Sequence, residues 1–420
     1  MFFYAMNLLN ALTYSEREGI DYMRDIFEKC FEPQRQDQLK EAGIYPYFRA
    51  LDSRQDVEVI MEGKRRIMLG SNNYLGLTVQ PEIVEAGIKA LEQYGTGCSG
   101  SRFLNGTLRM HYELEDEIKT FLRKEDCITF PAGFMSNLGI ISSIVGRHDV
   151  MILDREDHAS IYDACRLSYG RMLRYRHADM EDLERQLQQV PEECGCLIIT
   201  DGVFSMGGDI ARLPEICQLA EKYGARVMVD DAHGLGVIGE GGRGTASYFG
   251  LEDKVDIYMG TFSKSLASLG GYMVSSHKVV DYVRHTARAY MFAARVPPAQ
   301  TAVALAALRY LEAHPELPQK LQNNAARFRQ QLKARDVRII EANTPIVPIY
   351  TYEPENTLIK QKGMYDAGVY VNSVLPPACA PGECLLRTSL MASHTDALID
   401  EAAEIIAKVL KTDNAVLMQG

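Results

Sequence analysis

The chain of 420 residues carries 45 Lys and Arg against 56 Asp and Glu, a formal charge of −11, with 46% apolar and 24% charged residues. That balance excludes a disordered chain or a disulfide scaffold and leaves no large basic footprint for nucleic acid. Nine cysteines, an odd number without any C-x-x-C pair, fit a reduced, cytoplasmic protein.

The N-terminal MFFYAMNLLNALTYSE lacks a basic leader and a small-residue cleavage site, and no apolar run reaches the length of a membrane-spanning helix. Phe2, Phe3, Tyr4, Leu8 and Leu9 offer a weak peripheral membrane contact, with packing on the protein itself as the plainer alternative. Residues 14–43 are charged and helical in pattern, and 57–69, VEVIMEGKRRIML, predict two short strands. The stretch PEIVEAGIKALEQYG predicts a helix with Pro81 in its first turn, Val84, Ile88 and Leu91 on one apolar face, and Gly95 as the stop.

From 111 to about 290, helical stripes alternate with CITF, VMIL, CLIIT, RVMVD and VDIYMG, which predicts a mainly parallel sheet covered by helices. After the Pro pair at 297 and 298, a helical stretch (299–334) leads into RIIEANTPIVPIYTY, GVYVNSV and LLRTSLM and closes on a helix, DALIDEAAEIIAKVLK. The expected organisation is a helical leader over 1–60, a large catalytic domain over 61–298 and a small α/β domain over 299–420.

Ligands of open parallel sheets sit beyond the carboxyl ends of the strands. Three such ends carry polar clusters: Asp201 to Ser205, Asp230 to His233, and Thr261 to Ser265. Taken alone, Lys264 reads as a surface lysine in a loop; among these neighbours it reads as a Schiff-base lysine, whose desolvated amine attacks an aldehyde. A carboxylate ending a buried strand, Asp230, needs a cationic partner, and a protonated pyridine nitrogen is one. Backbone groups of Gly133 and Phe134 with the hydroxyls of Ser205, Thr261 and Ser263 could take a phosphate. Acid, amine and phosphate donors together suit pyridoxal 5'-phosphate.

Other readings compete. Asp230, His233 and His158 could bind metal, but no further His or Cys recurs at metal-site spacing. Gly234, Gly236 and Gly239 spell G-x-G-x-x-G after a strand, as in a dinucleotide-binding dehydrogenase, yet the strand ends in DDAH and the glycines continue into loop rather than helix. Ser205 lacks the G-x-S-x-G frame of a hydrolase. Arg171, Arg174 and Arg176 with Tyr169 and Tyr175 read as a solvated surface rather than a nucleic-acid face.

The chain resembles the α-oxoamine synthases, pyridoxal-phosphate enzymes of the fold type I aminotransferase-like class, over nearly all of residues 40–415. The resemblance rests on SNNYLGL (71–77), GSRFLNGT with HYELE (100–115), AGFMSN (132–137), DHASIYD (157–163), DGVFSMGGD (201–209), VDDAHGLGVIGEGGRG (229–244), GTFSKS (260–265) and LLRTSLMASHT (385–395). It implies Lys264 as the cofactor-linked amine, His158 stacked on the pyridine ring, Asp230 on its nitrogen, His233 on its hydroxyl, and Arg387 as the clamp for the substrate carboxylate with Asn73 close by. It also implies a homodimer with the active site at the subunit interface.

SRFLNGT, GTFSKSLASLGG and VLPPACAP are most similar to bacterial members that condense L-serine with palmitoyl-coenzyme A, releasing CO2 and 3-ketodihydrosphingosine at the first step of sphingolipid synthesis. The alternative is glycine or alanine with another coenzyme A or acyl-carrier-protein thioester, as in glycine C-acetyltransferase or 8-amino-7-oxononanoate synthase. A noncatalytic partner subunit is a further rival, against which Lys264 speaks. Three departures from the family stand out: Ala132, Asp231, and the stretch Ala293, Ala294 and Arg295 before the Pro pair. Arg295 is expected either to contact an anion, on the cofactor or on coenzyme A, or to be a plain surface arginine.

Overall fold

A computed structural model describes residues 23–419; the N-terminal aromatic residues singled out above lie outside them. The chain divides into a segment ending at Tyr45 and a body from Pro46 onward. Within the first, short helices span Glu28–Phe31 and Arg35–Glu41, the second opened by a capping box between Gln34 and Asp37.

The body starts with the expected hairpin, β1 (Glu58–Met61) and β2 (Lys64–Met68), turning through Glu62 and Gly63, both at positive φ. The predicted helix forms over Pro81–Tyr94 with Pro in its first turn and Gly95 as the C-cap. Val84, Ile88 and Leu91 share one face as expected, and a neighbouring face is the one packed within the chain. Ile83, Gly87 and Ala90 are buried, while Val84, Ile88 and Leu91 are 37%, 45% and 42% exposed. The helix packs against Pro298–Ala313, and small residues at 87 and 90 allow two helices to approach where Val84, Ile88 and Leu91 would hold them apart.

A seven-stranded sheet follows: β3 (Asp126–Phe130), β4 (Asp149–Asp154), β5 (Arg171–Tyr175), β6 (Gly195–Asp201), β7 (Arg226–Asp230), β8 (Ile257–Thr261) and β9 (Gly271–Ser275), in the order β3-β9-β8-β7-β6-β4-β5. Only β9 runs antiparallel to its neighbours. All five runs read from the sequence are strands, whereas β5 and β9 were not expected.

Both faces of the sheet are covered, so side chains alternate between two cores. Val150, Ile152, Ile198, Val227 and Val229 face one core, with the helices Arg109–Phe121, Met180–Leu187 and Leu213–Tyr223. Met151, Leu153, Leu197, Ile199, Met228, Ile257 and Met259 face the other, with Gly133–Ile144, Ala159–Leu167 and His277–Thr286. Asp201, Asp230 and Thr261 each stand two residues beyond a member of the second set, so the period of two puts all three on the face covered by Gly133–Ile144.

The helical stretch expected over 299–334 is made of two helices, Pro298–Ala313 and Leu317–Lys333. Beyond them β10 (Ile346–Tyr352), β12 (Asn372–Val374) and β13 (Cys384–Ser389) form an antiparallel sheet in the order β10-β13-β12, while the short β11 (Val369–Tyr370) joins β2. Among the described residues no helix is long and apolar enough to cross a membrane.

Candidate active site

The loop between β8 and β9 delivers Lys264. Phe262 N donates to Gly270 O and Ser268 N to Phe262 O, closing the loop around a fully buried Phe262 stacked on Tyr272. Lys264 is half-buried as a residue, and burial pulls its pKa down to about 8 against the opposing charges of Asp230 and Asp201. If that value governs the free amine, the rate at which apoprotein takes up pyridoxal phosphate should rise with pH to a half-maximum near 8. An ordinary lysine, near about 10.4, would still be gaining two units higher; stopped-flow absorbance distinguishes the two.

Asp230 is buried at the end of β7, beside Asp201 in register on β6. Asn137 Nδ2 donates to Asp230 Oδ2 at 2.7 Å and to Ser160 Oγ at 2.8 Å, and Ala232 N donates to Asp230 Oδ1 at 3.0 Å. Ser160 Oγ lies 2.8 Å from His158 Nδ1, which also accepts Ser160 N at 3.2 Å and so caps the helix Ala159–Leu167. With Nδ1 accepting, the proton of neutral His158 sits on Nε2. Desolvation lowers the His158 pKa, opposed by Asp230 and assisted by Lys264, and Phe134 meets the ring edge-on at 6.5 Å.

His233 is buried, and desolvation with the charges of Lys264, Arg387 and His158 holds it well below its ordinary pKa, hence neutral. Its Nδ1 is 2.7 Å from Tyr74 Oη. Arg387 Nη2 donates to the same oxygen at 3.2 Å, so the Tyr74 hydroxyl proton goes to His233 Nδ1 and Nε2–H remains a donor.

Arg387, central in β13, also donates from Nη2 to Asn72 Oδ1 at 2.9 Å, from Nε to Ser205 O at 2.5 Å and from Nη1 to Ser389 Oγ at 2.9 Å. Four of its five N–H groups are thus engaged, leaving one on Nη1. The asparagine on the clamp is Asn72. Asn73, expected there, donates instead to Thr78 Oγ1 at 2.8 Å. Ser205, expected among the phosphate donors, is tied through its carbonyl to the clamp.

Thr261 and Ser263 hydroxyls are 2.8 Å apart, and Thr261 Oγ1 donates to Gly270 O at 2.9 Å. Gly133 opens its helix against them; a Cβ there would lie 2.8 Å from Thr261 Oγ1. The N-cap, Ala132, supplies no side-chain acceptor, so the N–H groups of the first turn are left for an anion.

These features suit pyridoxal phosphate. Among the described residues Asp230 has no salt-bridge partner, and a buried carboxylate with amide donors alone lacks the cation that a protonated pyridine nitrogen supplies. An aldehyde for Lys264, a protonated ring nitrogen for Asp230 and a phosphate for the open helix end are the parts of one cofactor. Together with the sheet order they put the chain in the fold type I class of pyridoxal-phosphate enzymes. It belongs to the aminotransferase class I and II family, whose model matches residues 64–406.

The serine palmitoyltransferase of Sphingobacterium spiritivorum is 51% identical over 375 residues, 89% of this chain and 94% of that protein. The 8-amino-7-oxononanoate synthase of Thermoanaerobacter pseudethanolicus is 39% identical, covering 94% of this chain and 100% of its own. The solved Sphingomonas wittichii serine palmitoyltransferase superposes with a TM-score of 0.88 at 37% identity, over 92% of this chain and 98% of that one.

The competing motifs have other uses. The G-x-G-x-x-G glycines build a turn with Gly236 and Gly239 at positive φ, and no α-helix starts on them. Asp231 accepts Thr245 N at 2.7 Å and Thr245 Oγ1 at 2.6 Å, and a Cβ at Gly234 or Gly244 would come within 1.8 Å of its carboxylate. Burial pushes Asp231 up to about 6.

Arg295 is no surface arginine. It is 4% exposed, holds Thr129 through Nη2, lies 5.0 Å over the Tyr290 ring, and has no partner for Nε or Nη1 among the described residues. Arg171 and Arg174 belong to edge strand β5, Arg176 pairs with Asp179 at 2.6 Å, and Tyr175 is buried. All nine cysteines are free thiols. Asn137, Ser160, Tyr74 and Asn72 were not singled out as site residues, although all four stand inside motifs read from the sequence.

Proposed function

We propose that this chain condenses L-serine with palmitoyl-coenzyme A or a similar long-chain acyl thioester, releasing CO2 and coenzyme A and leaving 3-ketodihydrosphingosine. The observation that carries this reading is the 51% identity to a serine palmitoyltransferase across 89% of the chain. The lower identity to an 8-amino-7-oxononanoate synthase, 39%, supports the alternative, alanine with another acyl thioester, less well.

Pyridoxal phosphate, once bound, supplies an electron sink conjugated to the substrate α-carbon. Lys264 would hold the cofactor through its aldehyde, and the same Nζ is placed to take the substrate α-proton and to return one. Asp230, oriented by Asn137, keeps the ring nitrogen protonated. His233 would hold the ring hydroxyl through its free Nε2–H, and His158, with its proton on Nε2, would hold the ring and offer a donor to the substrate carboxylate. Arg387 takes that carboxylate through its remaining Nη1–H, with Tyr74 and Asn72 able to yield further donors. Gly133, Phe134, Thr261 and Ser263 receive the phosphate.

In this reading residues 61–298 form the cofactor domain, 299–420 bring the clamp to it, and a second copy of the chain completes the site. The exposed stripe of Val84, Ile88 and Leu91 supports a covered surface.

The test offers holoenzyme L-serine, glycine and L-alanine with short, medium and long acyl-coenzyme A, and identifies products by mass spectrometry. The expected product is 3-ketodihydrosphingosine. A different amino ketone in its place would overturn the serine assignment and keep the chemistry.

A further inference from the structure

His177 follows β5 and touches none of the groups that would meet substrate or cofactor. Its Nδ1 is 3.0 Å from Asp154 Oδ1 and its Nε2 3.0 Å from Asp209 Oδ2, with Glu156 Oε2 at 3.7 Å. A ring whose two nitrogens both face carboxylate oxygens must donate from both, so it is an imidazolium. The ring also meets Phe204 edge-on, with centroids 4.5 Å apart. Burial alone would lower its pKa, but the hydrogen bonds to Asp154 and Asp209 raise it to about 10.

The two carboxylates belong to different active-site loops. Asp154 ends β4 and shapes the turn before His158: Oδ1 accepts Glu156 N at 2.9 Å, and Oδ2 accepts Ala178 N at 3.0 Å. Asp209 closes the loop after β6, where its carbonyl accepts Phe204 N at 2.9 Å and Gly208 N donates to Phe204 O at 2.9 Å. Ser205, the next residue in that loop, gives its carbonyl to Arg387 Nε.

We propose that His177 is a positioning residue for the amino-acid substrate: as a cation bridging Asp154 and Asp209 it fixes the Ser205 carbonyl that orients Arg387 and the turn that presents His158. The inference rests on the proposed condensation, because it assumes that Arg387 receives a substrate carboxylate. Glutamine at 177 reaches one carboxylate and carries no charge, so the two acids are left facing each other and the loop loses its tie.

The experiment titrates holoenzyme with L-serine and follows the cofactor absorbance to obtain a dissociation constant. Wild type is expected to saturate, and His177→Gln to bind L-serine about tenfold or more weakly, with kcat at saturating serine within about twofold. Its visible spectrum without serine and its borohydride-trapped cofactor content should match wild type. Asp209→Asn, which keeps an acceptor and removes a charge, should weaken binding by a smaller factor and serves if His177→Gln does not fold. Glu215→Gln, on an exposed pair with Arg212 at 2.7 Å, should change nothing.

Unchanged serine affinity in a folded His177→Gln holoenzyme would overturn the proposal. So would a proportional loss of affinity, kcat and cofactor content, the signature of a structural role alone. If wild type gives no response to L-serine, the substrate assignment fails instead, and the same comparison is made with glycine or L-alanine.

Discussion

Lys264→Ala is expected to lower condensation to about a thousandth of the wild-type rate or less, because one side chain both links the cofactor and moves the α-proton. Loss of a positioned proton-transfer group alone removes about two to four orders of magnitude, and loss of the covalent link adds to it. Binding of pyridoxal phosphate should survive, since Asp230 and the open end of the helix Gly133–Ile144 remain. Borohydride reduction followed by peptide mapping checks the assignment: wild type should carry a pyridoxyl group on Lys264 and the variant none. Label on another lysine, or full turnover without Lys264, would remove the residue from the chemistry.

Asp230→Asn has the next largest expected effect. The amide is nearly isosteric, so the shape is kept, but it can accept from only one of the two N–H donors, Asn137 Nδ2 and Ala232 N, and the charge opposite the ring nitrogen is lost. Breaking a buried ion pair by removing one partner costs about 3 to 5 kcal/mol, which on the transition state is about two to four orders of magnitude in rate. Asn137→Ala leaves the carboxylate and removes one orienting hydrogen bond, so about 1 kcal/mol, or roughly fivefold, is expected. Equal losses in the two variants would mean that the Asp230 charge is not what matters, and steady-state kinetics with cofactor content measured in parallel decides it.

What the sequence made legible follows the range of the interactions involved. Strand ends with Asp230 and Lys264 stood out because charge beside an apolar run is a local anomaly. The strand β5, RMLRY, was read as surface because it is an edge strand with exposed arginines, and β9, GYMVS, was lost behind the glycines that close the Lys264 loop. Partners across the fold left no local trace. Asn137 meets Asp230 from 93 residues away and Tyr74 meets His233 from 159, so nothing in either neighbourhood announces the other. The choice between Asn72 and Asn73 turns on local backbone direction, which two adjacent identical residues cannot signal. Which face of the helix Pro81–Tyr94 packs within the chain was not legible, because hydrophobicity ranks Val84 and Ile88 above Gly87, whereas close helix contact selects the small residue.

The packing around Asp231 constrains how this chain can change. Its carboxylate occupies the volume that a side chain at 234 or 244 would need, so neither glycine can mutate while the aspartate stays, and a longer acid at 231 must find room among the same backbone atoms. The three positions therefore form an epistatic set in which the order of substitutions decides which histories are open. Gly234 of the dinucleotide-like spelling is held by that set while Gly236 and Gly239 are held by their positive φ, and drift at 234 has to wait for drift at 231.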